Sequence, residues 1–282
     1  MARRINKLKK PATRTLESDL HTHVYTNYRY QASRRFLEEG FRDLTRLTKL
    51  CVNGGLGIVG VTNFTDWNYE FWTSSRQLGD LPADWRQYQD ERVTYIETEQ
   101  GKGLYLVKSE EIPTDKGHLL LIGCPRGKNI GKGNLSEVLG KAGQDPLITI
   151  VADHPYMGRI GLRGEIDRVA IRLDALEYNS NCSRAENKKA EQEAQRLGKP
   201  LIANSDSHRP QDIGIARTNF LAEDLRYSCG ENFVGSLRLN IIGTKFGVEK
   251  GSLGLPAKLE HVGLLIAYNV LRWIPGFTDI VD

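Results

Sequence analysis

Histidine is scarce in this chain and unevenly placed. Of 282 residues only six are histidine: His21, His23, His118, His154, His208 and His261. His21, His23, His154 and His208 lie where apolar runs end, and His118 opens one. Imidazoles combined with carboxylates form the usual ligand set of zinc, manganese and iron. In His21-Thr22-His23 the imidazoles are two residues apart, and in a strand such residues point to one side. Asp206-Ser207-His208 repeats that spacing with a carboxylate in the first place. Either pair alone is a weak signal, because exposed strand histidines, or an Asp capping a turn beside a surface His, look the same. Two such pairs at strand ends are harder to dismiss.

Two further segments add donors. His154 precedes Pro155, and proline biases the preceding residue toward an extended conformation. His154 is therefore expected to end a strand with its imidazole on the same rim. In an extended chain the neighbouring Asp153 would point away. Glu110 and Glu111 are expected between a strand over 103–107 and a polar turn. A carboxylate there suits the bridging of two cations, a common role in multi-metal hydrolytic sites. A solvated acidic pair is the plain alternative. His118 follows seven residues after Glu111 across the turn, and a hairpin would bring the two together.

Short apolar runs position these residues. Strands are expected over 16–23, 56–62, 103–107, 118–123, 147–152, 173–178 and 201–204. Helices are expected over 31–51, ending at Asn53-Gly54-Gly55, and over 185–197, ending near Gly198. Strands that alternate with helices argue for an α/β layout with a largely parallel sheet. At this length a closed barrel with outer helices is the simplest solution, and its chemistry collects at the C-terminal ends of the strands. The division expected is a basic tail over 1–14, a barrel over 15–222 and an extension over 223–282 packed on the barrel.

The motifs, taken together, resemble the PHP (polymerase and histidinol phosphatase) superfamily. The pieces are Asp19-Leu20-His21-Thr22-His23, Glu111 with Gly117-His118-Leu119-Leu120, His154-Pro155, Glu177-Tyr178-Asn179-Ser180, and Asn204-Ser205-Asp206-Ser207-His208 followed by Gly214. They stand in the family's order over about residues 16 to 215. The resemblance implies a distorted TIM-like (β/α)7 barrel with a C-terminal helical extension. It also implies hydrolysis of phosphomonoesters or phosphodiesters by metal-activated water. Metal-ligand roles carry over to His21, His23, Glu111, His118, His154, Asp206 and His208, and Glu177 reads as a supporting residue. Where the family usually has Thr-Asp-His, this chain has Thr62-Asn63-Phe64, with Asp66 nearby. Tyr28 stands near the place of a usual acidic residue. These losses reduce the expected complement to one or two divalent ions (Mn, Zn or Fe).

Within a phosphoesterase, Asp206 or His208 would donate a proton to the leaving group, and Arg159 in Met157-Gly158-Arg159-Ile160-Gly161 would clamp phosphate. Arg163 follows in the same stretch. The expected partner is a phosphorylated small molecule or a nucleic-acid end. One rival is C–N bond hydrolysis by a similar metal barrel. The other is a catalytically weakened metal-binding domain that serves as a scaffold or binds nucleic acid. The net charge of +4 and the basic run Arg3, Arg4, Lys7, Lys9, Lys10 and Arg14 would suit the latter, as would the stretch from Arg126 to Lys132. No aromatic residue interrupts that N-terminal run, so base stacking there lacks support. Cys51, Cys124, Cys182 and Cys229 form no Cys-x-x-Cys pair, which argues against a thiolate zinc site. No apolar core follows the basic start, and the apolar stretch over 262–271 is shorter than the ~20 residues of a bilayer span. A cytoplasmic protein without membrane contact is the expectation.

Overall fold

The computed structural model of the chain describes residues 14–23, 55–63, 86–97, 103–126, 130–207 and 212–254. The strands are β1 (Thr15–Thr22), β2 (Leu56–Asn63), β3 (Arg86–Gln89), β4 (Val93–Glu97), β5 (Gly103–Thr114), β6 (Gly117–Ile122), β7 (Thr149–Ala152), β8 (Ala175–Asn179), β9 (Leu201–Asn204), β10 (Arg217–Leu221) and β11 (Phe246–Glu249). The main helices are α1 (Leu135–Ala142), α2 (Arg184–Leu197) and α3 (Gly230–Ile242). Several expectations lie outside the described residues. They are the helix over 31–51, the apolar stretch over 262–271, the basic tail up to residue 13, and Tyr28, Phe64, Asp66, His208 and His261.

One sheet runs in the order β11-β10-β1-β2-β5-β6-β7-β8-β9, with β4 also on β5 and β3 on β4. Its ends approach each other. A parallel bridge joins Thr22 to Ser207, His21 O accepts from Asp206 N at 2.9 Å, and His23 N donates to Ser207 O at 2.8 Å. The result is a nearly closed, distorted TIM-like barrel of mixed α/β type with few helices among the described residues.

The expectation of a largely parallel sheet needs correction. Pairs β1–β2, β2–β5, β7–β8 and β8–β9 are parallel. Pairs β5–β6 and β6–β7 are antiparallel, as are all pairs made by β3, β4, β10 and β11. The cause is local. Asp115-Lys116 closes a hairpin between Thr114 and Gly117, so the chain reverses beside β5 without a crossover helix. β5 is also longer than expected, reaching Thr114, so Glu110 and Glu111 lie inside a strand.

Side-chain alternation separates core from site. Along one face of β5, Val107 packs in the core and Glu111 follows four residues later. The same change from apolar to ionisable occurs from Val151 to Asp153, from Ala175 to Glu177 and from Ile202 to Asp206. With a period of two, each strand places its chemistry at one end of the sheet. The apolar parts of these faces share a core with Phe233, Val234, Leu237 and Ile241 of α3. The opposite faces of β6, β7 and β8 pack on α1 and α2 through residues such as Leu119, Leu121, Val138, Leu139 and Ala194. The stretch after residue 222 thus supplies both a core helix and the edge strand β11.

Helix ends are well specified. Asn134 caps α1 by accepting from Glu137 N at 3.0 Å. Ser183 and Glu186 form a capping box at the start of α2, and Gly198 ends it with φ +61°. At Gly60, β1 and β2 come so close that a Cβ would lie 2.0 Å from Leu20 O, so only glycine fits. Among the described residues no helix is long and apolar enough to cross a membrane. Cys124, Cys182 and Cys229 form no disulfide among the described residues.

Candidate metal centre

The C-terminal ends of β1, β7 and β8, the segment after β9, and the β5–β6 hairpin bring His21, His23, Glu111, His118, Asp153, His154, Glu177 and Asp206 together. All are buried except His118, which is partly exposed. Arg159 is exposed, and no contact joins it to this cluster among the described residues. Arg163 is exposed as well and acts electrostatically on Glu186 at the start of α2.

Glu111 divides the cluster. Its Oε2 lies 3.1 Å from His23 Nε2 and 3.9 Å from His21 Nε2. Its Oε1 lies 2.5 Å from His118 Nδ1 and 3.1 Å from His154 Nε2. Each oxygen of one carboxylate therefore serves a different pair of imidazoles. On the Oε2 side, His21 Nε2 and His23 Nε2 are 3.0 Å apart, and Asp206 Oδ1 is 3.5 and 3.3 Å from them. Ligands ~2.0 Å from one tetrahedral centre are about 3.3 Å from each other. Five of the six separations, from 3.0 to 3.9 Å, bracket that value; His21, His23 and Glu111 form the compact group, and Asp206 stands at its edge beside the two imidazoles. On the Oε1 side, Asp153 Oδ2 joins at 3.1 Å from His154 Nε2.

Two expectations about the His154 segment fail together. His154 was expected to be extended, but its φ is +25°. The left-handed turn breaks the strand alternation, so Asp153 and His154 both face the cluster. Asp153 Oδ1 lies 3.3 Å from His21 Nδ1. The turn is held by Glu177 Oε2, which accepts from His154 N at 3.0 Å, and by Met157 N donating to His154 O at 2.8 Å. Proline's bias is overridden by these bonds. Asp153 was thus under-ranked, and its place beside His154 was the only sequence signal for it.

Electrostatics shows why these donors suit a cation. Burial alone would depress the His21 imidazole, but Asp153, Glu177 and Asp206 outweigh it and raise the group well above the usual histidine value. His154 is raised in the same way, against burial, by Asp153 and Glu111. Burial would lift the Glu111 carboxyl, but His118, His154 and His23 hold it well below the usual range. Asp153 behaves differently. Burial raises it to about 7, against the pull of His154 and His21. Its oxygens accept no well-directed hydrogen bond, although imidazole nitrogens of His154 and His21 lie 3.1 and 3.3 Å from them. Buried carboxylates that lack such bonds carry a large desolvation cost, which a divalent cation would offset. Imidazole and carboxylate donors of this kind fit a zinc, manganese or iron ion.

Comparisons with known proteins bear on the fold that carries this site. Residues 184–239 match a family model described as PHP-associated. The fold is shared with PsfC from Pseudomonas syringae PB-5123 (TM-score 0.57, 14% identity), covering 91% of this chain and 99% of that one. It is also shared with a two-domain protein from Bacteroides vulgatus ATCC 8482 that contains a predicted PHP-like metal-dependent phosphoesterase. That match has a TM-score of 0.55 and 14% identity, covering 89% of this chain and 70% of the other. The family model covers residues 184–239 only, and the structural likenesses show the fold. No curated protein sequence matches the chain. α2 opens the segment matched by the family model, and the loop before α2 contacts Asp206.

Proposed function

We propose that this chain is a metal-dependent phosphoesterase of the PHP superfamily that hydrolyses phosphomonoesters or phosphodiesters. The observation that carries the reading is the division of Glu111, whose two oxygens face two different imidazole pairs. That is the arrangement a carboxylate shared by two cations requires. His21, His23, Glu111 and Asp206 would hold one ion, and Glu111, His118, His154 and Asp153 the other. Divalent ions held there supply a nucleophilic water at neutral pH and offset charge on the phosphoryl oxygens.

The chain's own residues do the rest. Glu177 accepts from His21 Nδ1 at 3.0 Å, which fixes the ring so that Nε2 faces the cluster. The partly exposed edge of His118 marks the side from which a phosphate ester reaches the cluster. His208, two residues after Asp206, remains proposed from sequence as a further ligand or proton donor. The substrate proposed is a nucleotide, a sugar phosphate or a nucleic-acid end, met in the cytoplasm.

The test is metal analysis of the purified chain, followed by hydrolysis of aryl phosphate monoesters, aryl phosphodiesters and oligonucleotides with manganese added. Cation-dependent release of phosphate or nucleotides is expected. Amide hydrolysis without phosphoester hydrolysis would overturn the proposal. So would cation binding with no turnover on any ester, which would favour the scaffold reading raised by Asn63-Phe64.

A further inference from the structure

We infer that Asn179 is the positioning residue that makes Asp206 a one-oxygen cation ligand. The inference rests on the proposed cation centre and adds a residue role to it. Asn179 ends β8 on the same face as Glu177. Its Nδ2 donates to Glu177 Oε2 at 2.9 Å and to Asp206 Oδ2 at 3.2 Å. One amide group thus ties together two carboxylates that belong to different strands.

The consequence for Asp206 is directional. With Oδ2 engaged by Asn179, Oδ1 is the oxygen that faces His21 and His23. The rest of Asp206 is fixed just as firmly. Its φ is +52°, a conformation that side chains other than glycine rarely adopt. It is held there by Asp206 N donating to His21 O and by Asn181 Nδ2 donating to Asp206 O at 2.6 Å. Ser180 Oγ also donates to the preceding Ser205 O at 2.6 Å. The loop Asn179-Ser180-Asn181 therefore grips the Asp206 segment at three points, and only Asn179 touches the carboxylate.

Asn179 is itself held by groups that do not depend on a cation. Its backbone N donates to Asn187 Oδ1 at 3.0 Å, and its backbone O accepts from Asn187 Nδ2 at 2.8 Å. Its Oδ1 accepts from Asn181 N at 2.9 Å, which fixes which way the amide is turned. With Oδ1 committed, Nδ2 is left facing the carboxylates. The same chain of bonds reaches His21 through Glu177, so Asn179 sets the orientation of two ligands at once.

The test uses cobalt(II), whose visible spectrum reports ligand geometry, on the full chain. Asn179→Ala is expected to bind cobalt about 10 to 100-fold more weakly than wild type, the usual cost of losing a group that orients a ligand. Its visible band should change in shape or intensity. Asn240→Ala serves as the control. Asn240 is buried in α3, donating to Asp224 O and Ser236 O, and its loss should lower stability without changing the spectrum. Asn179→Asp preserves the Oδ1 acceptor for Asn181 N and replaces the donor with a carboxylate oxygen facing Glu177 and Asp206. It provides the same spectral readout if the alanine variant does not fold. Wild-type affinity and spectrum in an Asn179 variant would overturn the inference and leave the functional proposal standing. A wild-type chain that binds no cobalt would overturn both.

Discussion

The two sides of Glu111 are built differently. The side of His21, His23 and Asp206 is closed, with side-chain exposures of 0 to 5%. Two of its three residues have assigned holders: Glu177 for His21, and Asn179, Asn181 and the β1 backbone for Asp206. The side of His118 and His154 is more open, since His118 is 17% exposed and sits at the start of a hairpin strand. Its fixed points are Glu111, which both imidazoles share, and the bond from His154 N to Glu177. The closed side has the preorganisation of a permanent ligand set. The open side has the access that a substrate or an exchanging ion needs.

The largest effect is expected where the two sides meet. Glu111→Gln preserves the shape of the side chain and removes the charge that His23, His118 and His154 all face. Both sides should lose cation together, and turnover should fall by at least about 100-fold, the upper end for a group that merely orients a ligand. Elemental analysis alongside an ester assay checks this. If one equivalent of metal survived with full activity, the sides would not share Glu111. His118→Ala should have a narrower effect. Titration should show one equivalent lost and the other bound as in wild type, because no described contact joins His118 to His21, His23 or Asp206. Loss of both equivalents would show that the open side supports the closed one.

The sequence made the closed side more legible than the open one. Two-residue spacing is a property of extended backbone, so His21-x-His23 could be placed on one face before any fold was known. The strands of the barrel were legible for the same reason, since apolar runs such as 201–204 coincide with β9. Asp153 escaped because its orientation depends on a left-handed residue, and φ at His154 is set by bonds from Glu177, 23 residues away. The hairpin into β6 was legible as a polar turn between two strands, whereas the antiparallel pairing of β6 with β7, which depends on a longer connection, was not. The role of Asn179 depends on two carboxylates from different strands, and no local pattern announces that.

Acidity acts on the two sides together, through Glu177, His21 and His154. Glu177 is lowered to about 2 despite its burial, chiefly by His21. A carboxyl lowered from 4.5 contributes stability above that pH and loses it as pH falls toward about 2. Over that window the metal-free chain should lose roughly 3 kcal/mol from this group. Raised histidines act in the opposite sense. His21 and His154 contribute stability below their ordinary value of 6.5, and lose it as pH rises through their raised values. Urea midpoints of the metal-free chain should therefore fall at both extremes. In Glu177→Gln the acid-side fall should flatten. Cation affinity should rise with pH across the alkaline limb, because binding must displace protons from the same imidazoles. An affinity independent of pH would mean that these rings are not the ligands.

The smallest effect is expected just outside the closed side. Ser183 begins α2 directly after the loop that grips Asp206 and forms a reciprocal cap with Glu186. Ser183→Ala removes one accepted bond, from Glu186 N at 3.2 Å, and should cost about 1 kcal/mol of stability. Cobalt affinity should stay at the wild-type value. The anchoring of Asn179 runs through Asn187, one turn further into α2, and Asn187 N still bonds to the backbone of residue 183. Chemical denaturation and a cobalt titration on the same sample separate the two readouts. A fall in affinity that tracks the loss of stability would show that the closed side depends on the first turn of α2, and that its preorganisation extends beyond the residues touching the carboxylates.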